Sequence, residues 1–298
     1  MRTTIRFCGI VVLALTVMTL NGIAGEAHYV NGVEGIKAAT LPPPGLYGRL
    51  YGAYYNADDL TDDNGDKADL GFEVSVYALV PRVIWVSPYE ILGGSYFADA
   101  IVPIIQTELS IDAANVDDDQ FGLGDACVEP VGISWHGARY DAAVALGGYL
   151  PTGEYDKDNV ASPGKDMWTF MSTVGGTVYA DAEKTWSASI LSRYEIHSEQ
   201  EDENYTPGDD FHFEWGLAKT VNKTLDIGVA GYCRWQVTDD ETDGVENSDK
   251  VSVMAAGPEI SLFIPSQVLF VSARYLWEFE AKNTSEGAIG VITLTKPF

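Results

Sequence analysis

The stretch Val268-Leu269-Phe270-Val271-Ser272-Ala273-Arg274-Tyr275-Leu276-Trp277-Glu278-Phe279-Glu280 decides the fold. Leu269, Val271, Ala273, Tyr275, Trp277 and Phe279 share one side of an extended chain, and Ser272, Arg274, Glu278 and Glu280 share the other. Side chains alternate across a strand, so this reads as β-structure with one apolar face and one wet, charged face. The period recurs upstream. Phe211, Phe213, Trp215 and Leu217 alternate with His212, Glu214 and Gly216. Trp186, Ala188, Ile190, Tyr194 and Ile196 oppose Ser187, Ser189, Arg193, Glu195 and His197. Leu225, Ile227, Val229, Cys233 and Trp235 oppose Asp226, Tyr232, Arg234 and Gln236.

The connections between such segments alternate in length. Long acidic ones fall at 57–69, 111–120, 153–166, 198–210 and 238–250, and short ones at 81–88, 136–138, 181–185, 221–224 and 265–267. This predicts twelve strands, at 45–56, 70–80, 89–109, 121–135, 138–151, 167–180, 185–197, 211–220, 224–237, 251–263, 268–280 and 287–298. Tight periplasmic turns and longer extracellular loops, with an even strand count, are the connection rule of a transmembrane antiparallel β-barrel. A soluble sandwich also alternates, but three features favour the membrane. Trp and Tyr cluster near segment ends, as in interfacial girdles. The opposite faces carry both acids and bases, as a watery lumen would. The chain ends on Phe298, in phase with Leu294 and Ile292, a C-terminal aromatic of the kind the insertion machinery reads. Hydrocarbon leaves no partner for a bare backbone N–H or C=O, so the strands must close, with 45–56 meeting 287–298.

The first 27 residues read as a secretory signal peptide. Arg2 and Arg6 precede the apolar run Phe7 to Leu20, and small residues allow cleavage after Ala24 or Ala27. Residues 28–44 then form a Gly- and Pro-containing segment ahead of the barrel, 45–298. It is either a periplasmic tail or a plug folded into the lumen. Tyr29, Val33, Ile36 and Leu41 favour the plug, because a free tail would leave them wet. A net charge of −26 excludes nucleic acid, whose phosphates need a basic face. Cys127 and Cys233 read as apolar fillers, too few for a disulfide framework.

Three further stretches carry a resemblance: His28-Tyr29-Val30-Asn31-Gly32-Val33-Glu34-Gly35 with Leu41-Pro42-Pro43-Pro44-Gly45, Phe121-Gly122-Leu123-Gly124-Asp125, and Tyr149-Leu150-Pro151-Thr152-Gly153-Glu154-Tyr155. The mature chain resembles the outer-membrane family named for the MetA pathway of phenol degradation, also called the SphA type. That family is grouped with outer-membrane channels for hydrophobic compounds such as fatty acids and toluene. The resemblance implies transport by analogy and brings no catalytic or substrate residues with it.

Other motifs have plainer readings. Gly122-x-Gly124-Asp125 lacks the strand-to-helix context of a phosphate loop and reads as a bend in a strand. Asp62-Asp63-Asn64-Gly65-Asp66 opens like a calcium loop but lacks the later Glu, so solvated surface is the milder reading. The polar residues Arg193, Glu195, His212, Glu214, Asp226, Arg234, Arg274 and Glu278 should line the lumen, either as a stiffening charge ladder or as a selective lining. The expected function is passive uptake of small hydrophobic, including aromatic, solutes across the outer membrane of a Gram-negative bacterium. The expected partners are outer-membrane lipids, lipopolysaccharide and the solute, with no cofactor, no metal and no catalysis. A structural or adhesive barrel is the alternative, followed by a lipid hydrolase using His197 or His212.

Overall fold

The computed structural model describes residues 27–200 and 202–298, so all but the last residue of the expected signal peptide lies outside the described residues. Twelve strands form the wall: β1 (Gly45–Leu60), β2 (Phe72–Ile91), β3 (Gly94–Ile101 continuing as Ile104–Ile111), β4 (Val116–Leu123 continuing as Ala126–His136), β5 (Tyr140–Leu150), β6 (Thr169–Tyr179), β7 (Trp186–His197), β8 (Asp210–Asn222), β9 (Leu225–Gln236), β10 (Ser252–Ile264), β11 (Leu269–Lys282) and β12 (Ser285–Pro297). Each pairs antiparallel with its neighbours in chain order. β1 then meets β12 from Tyr47↔Pro297 to Leu60↔Ser285, which closes the ring as the sequence predicts. Closure matters because every spanning N–H and C=O must find a partner inside the protein.

Outside the ring, Val174, Trp277 and Ile292 each keep more than half of their surface open, and large apolar side chains are exposed along every strand of the wall but β3, where Val102 is exposed at the break between its halves. An exposed apolar belt of this extent is untenable in water and ordinary against lipid. Most strands exceed the roughly 9–11 residues needed to cross a bilayer, and β2 has 20.

The sequence reading errs at 81–88, expected to be a turn between strands 70–80 and 89–109. β2 runs straight through this segment. Proline cannot donate to a ladder and is tolerated where the ladder is already irregular. Pro81 accepts a bond from Val102 N at 3.2 Å, opposite the break between the two halves of β3. Pro88 lies where the β2–β3 register shifts between Val86 and Glu90. The true turn is Leu92-Gly93, with φ of 54° and 75°, the paired left-handed geometry of a two-residue hairpin.

One expected loop also shortens, and two others carry structure of their own. Of 111–120, only Asp112 to Asn115 connect, and Asp117, Asp118 and Asp119 belong to a strand paired with Ile104–Ile111. Asp117 and Asp119 are exposed there, so the strand continues into water beyond the membrane belt. The connections 198–210 and 238–250 contribute a small antiparallel sheet of Tyr205–Thr206, Asp240–Thr242 and Val245–Asn247.

The inner wall divides into two arcs. β7 to β11 turn inward the buried polar residues Arg193, Glu195, His212, Glu214, Arg234, Glu259 and Arg274. β2 and β3 line the interior with Val74, Val76, Ala78, Val80, Ile105 and Leu109 instead. Residues 28–41 lie between the arcs.

Candidate functional site

Consecutive carboxylates on neighbouring strands grip the N-terminal segment by its backbone. Glu195 accepts from the amides of His28 and Tyr29 at 3.0 and 3.1 Å. Glu214 accepts from the Tyr29 hydroxyl at 2.6 Å and from the amides of Gly32 and Glu34 at 2.9 and 2.8 Å. Glu259 accepts from Ile36 N at 2.9 Å, and Asp226 pairs with Lys37 Nζ at 2.7 Å. Basic groups complete the ladder, with Arg193 on Glu214 at 2.9 Å, Arg274 on Glu259 at 3.0 Å and Arg234 on Asp210 at 2.7 Å. Sealed charges at this depth persist only when paired and hydrogen-bonded. The ladder meets that condition by using the segment's amides as donors.

Rings reinforce the grip. Tyr29 stacks on His212 with centroids 4.9 Å apart, and the Arg193 guanidinium lies 3.7 Å from the Tyr29 ring centre. His28 stacks on Tyr149 at 4.6 Å. Gly35 is required by contact, because a Cβ there would sit 2.0 Å from Glu259 Oε2. Gly32 is required by conformation, with φ of +89°.

Across the lumen, Glu34 reaches the opposite wall. It accepts from Tyr51 Oη at 2.6 Å and pairs with Arg49 at 2.9 Å and Arg82 at 3.3 Å. Burial alone would raise its pKa, but the Arg49 and Arg82 charges outweigh it and hold the carboxyl at about 2, below its ordinary 4.5. Arg82 also pairs with Asp99 at 2.7 Å and Glu129 at 3.1 Å. The segment thus ties the two arcs together.

Between the segment and the apolar arc lies a cavity of about 340 Å³, within the usual range for small-molecule sites. β2 and β3 form one wall, Tyr29, Val33 and Tyr149 another, and residues 155–165 its cover. The β4–β5 ladder ends at Ala126↔Leu150. Beyond that point the free edge of Val116–Leu123 meets only the loop after β5, through Glu154 N to Leu123 O at 2.8 Å and Asn159 Nδ2 to Gln120 Oε1 at 3.1 Å. The wall beside the cavity is therefore closed by a loop rather than by a strand.

All eight expected lumen residues face inward. Six are buried, while Asp226 and Glu278 are partly buried, Glu278 accepting from Tyr55 Oη at 2.8 Å. Of the four expected plug residues, Tyr29 is buried, Val33 and Leu41 pack against core clusters, and the Ile36 backbone presses on Gly216. The sequence reading missed His28, Glu34, Arg49, Arg82, Asp99, Asp125, Glu129 and Glu259. Arg82 was hidden by the mistaken turn, although it continues the inward alternation of Val76, Ala78 and Val80. Glu34 carried no periodic signal at all.

His28 also lies between Thr169 and Asp125, at 2.6 and 2.9 Å. That is the order of a nucleophile, a base and an orienting acid. Thr169, however, is only 3% exposed and its oxygen also faces His197 Nδ1 at 2.8 Å, so nothing reaches it. Asp125 is further occupied by the amides of Thr152, Gly153 and Lys165, at 2.9, 2.8 and 2.7 Å. The chain of bonds anchors the segment's start. Burial lowers the His28 pKa below its ordinary 6.5, with the Asp125 hydrogen bond opposing the shift.

Residues 57–294 match the family described as "Putative MetA-pathway of phenol degradation". The chain belongs to that family. The phenol-degradation family member also superposes on the crystal structure of an outer-membrane channel from Pseudomonas putida F1, with a TM-score of 0.78 and 14% identity over 87% of this chain and 97% of that one. The translocator domain of the autotransporter NalP from Neisseria meningitidis matches at a TM-score of 0.48 and 10% identity, over 86% of this chain and 90% of that one. The Bordetella BrkA β-domain matches at 0.46 and 10%, over 85% and 99%. No curated protein matches. The family member is a twelve-stranded outer-membrane barrel.

Proposed function

We propose that this barrel is a channel for passive uptake of small hydrophobic solutes, aromatic ones among them. The observation that carries the reading is the apolar cavity beside a wall closed only by a loop, in a lumen whose polar arc is held shut by residues 28–41. Water and ions meet the charge ladder and the segment, whereas an apolar solute finds Val74, Val76, Ala78, Val80 and Leu109. The loop beside β4 gives such a solute a path between lipid and cavity that needs no strand to part. The channel crystallised from Pseudomonas putida shares the fold and lends the reading support. No energy-coupling element is part of the proposal.

The plug role of residues 28–44 belongs to the same reading. Deleting residues 28–42 is expected to raise single-channel conductance, while uptake of p-xylene into liposomes by the intact protein exceeds that of protein-free liposomes. Unchanged conductance counts against the plug, and absent p-xylene uptake counts against the channel. A structural or adhesive barrel predicts neither effect and instead an envelope-integrity defect on gene loss.

A further inference from the structure

The cavity's charged lining is already satisfied. Glu34 is paired with Arg49 and Arg82, Arg82 with Asp99 and Glu129, and Asp125 with His28 and three backbone amides. At its mouth, the exposed Asp156 and Lys157 present one charge of each sign. An ionised ligand passing beyond the mouth would lose its hydration and find the charges of the inner wall already paired, which is costly in an apolar site. The wall chemistry therefore selects against charge, and not merely for hydrophobicity.

One lining group differs from the rest. Tyr149, near the end of β5, is 7% exposed and lines the cavity with its ring stacked on His28. Among the described residues its hydroxyl makes no hydrogen bond to any protein group. Tyr149 is thus a cavity-lining residue whose hydroxyl the protein leaves unused. Other buried tyrosine hydroxyls of the interior are bonded within the protein, Tyr29 to Glu214, Tyr51 to Glu34, Tyr179 to Asp141 and Tyr47 to the Pro43 carbonyl. A buried hydroxyl without a partner is destabilising unless something supplies one.

We infer that the cavity is a binding site for an uncharged molecule with an apolar body and a single hydrogen-bonding oxygen, such as a phenol or a neutral alcohol. Tyr149 is the group that pairs with that oxygen. The inference rests on the uptake reading and sharpens it: the ligand carries one hydroxyl and is un-ionised. Tyr149 acts as a specificity residue, with no bond made or broken.

The test uses the full mature chain refolded in detergent, with three probes of similar size at pH 7: p-cresol, p-xylene and p-toluate. Binding is measured by calorimetry and uptake with the protein in liposomes. p-Cresol is expected to bind about 3- to 10-fold more tightly than p-xylene, the gain of one buried hydrogen bond. p-Toluate is expected not to bind. Tyr149→Phe keeps the ring stacked on His28 and is expected to abolish the p-cresol preference, so that the variant binds p-cresol and p-xylene equally. Equal binding of p-cresol and p-xylene by the native protein overturns the inference without recourse to the variant, as does p-toluate binding comparable to p-cresol. A preference that survives in a folded Tyr149→Phe variant overturns the role of Tyr149. If no probe binds or crosses, the uptake reading itself fails. Uptake of both neutral probes without preference removes only this inference.

Discussion

The two inner arcs of this barrel are built from the same alternating strands and do opposite things. On β7 to β11, the inward positions carry most of the buried charges, which are matched among themselves and against the amides of residues 28–36. On β2 and β3, the corresponding positions are mostly Val, Ala, Ile and Leu, with Thr107 and Arg82 among them, and a space of about 340 Å³ remains open against them. A polar arc can hold a chain segment because amides are donors that carboxylates need. An apolar arc offers the same segment nothing directional, so it leaves room. The difference teaches that occlusion and permeation need not compete for the same wall.

The largest effect is expected from breaking the polar arc at its centre. Glu214→Ala removes the acceptor for Tyr29, Gly32, Glu34 and Arg193 together and strands a buried guanidinium. A loss of about 3–5 kcal/mol is expected in urea unfolding, with conductance rising as the segment comes free. Conductance unchanged from the native protein would mean that the segment is held elsewhere. The matching lesion of the apolar arc is Val76→Asp. It should lower p-xylene binding by about tenfold, since a carboxylate enters an apolar space, while leaving conductance near its native value. An equal effect of both variants on both readouts would abolish the distinction between the arcs.

How far this contrast could be read without coordinates depended on period. The polar arc was legible because Arg193, Glu195, His212, Glu214 and Arg234 sit at alternate positions opposite Trp, Phe and Ile. The ring and its strand count followed from the same pattern. The apolar arc was not legible. Val74 to Val80 puts Val and Ala on the lumen face and Ser75, Tyr77 and Leu79 on the other, so no charged face marks which side is which. Proline at 81 and 88 then suggested a turn, and the ladder irregularities that accommodate them depend on partners in β3 that local sequence does not reveal. Glu34 lay beyond any pattern, since its role is set by Arg49 and Arg82 across the lumen.

Smaller changes sharpen the comparison at the contact between segment and wall. Gly35→Ala would push a methyl group into the Glu259 carboxylate, and a loss of about 1–3 kcal/mol with partial opening is expected. Acid should release the two sides unequally. Glu34 has its pKa depressed to about 2 from 4.5, so its tie to Arg49 and Arg82 contributes fully above pH 4.5 and is lost only as pH falls towards 2. Conductance titrated from pH 7 to pH 3 in Glu34→Gln protein should therefore differ from native throughout that range. The smallest effect is reserved for Lys67→Ala, whose exposed pair with Asp59 touches neither arc. No shift in unfolding midpoint or in conductance is expected.

The bonds that seat residues 28–36 span 167 positions from His28 to Glu195, 182 from Gly32 to Glu214 and 223 from Ile36 to Glu259. Their acceptors leave the translocation machinery long after the donors do. The leading residues must consequently wait, unseated, until the last hairpins have zipped and β12 has found β1. In this protein a segment made before the first strand of the wall is the portion placed last, and folding ends with a newly closed, still empty cylinder drawing that segment in.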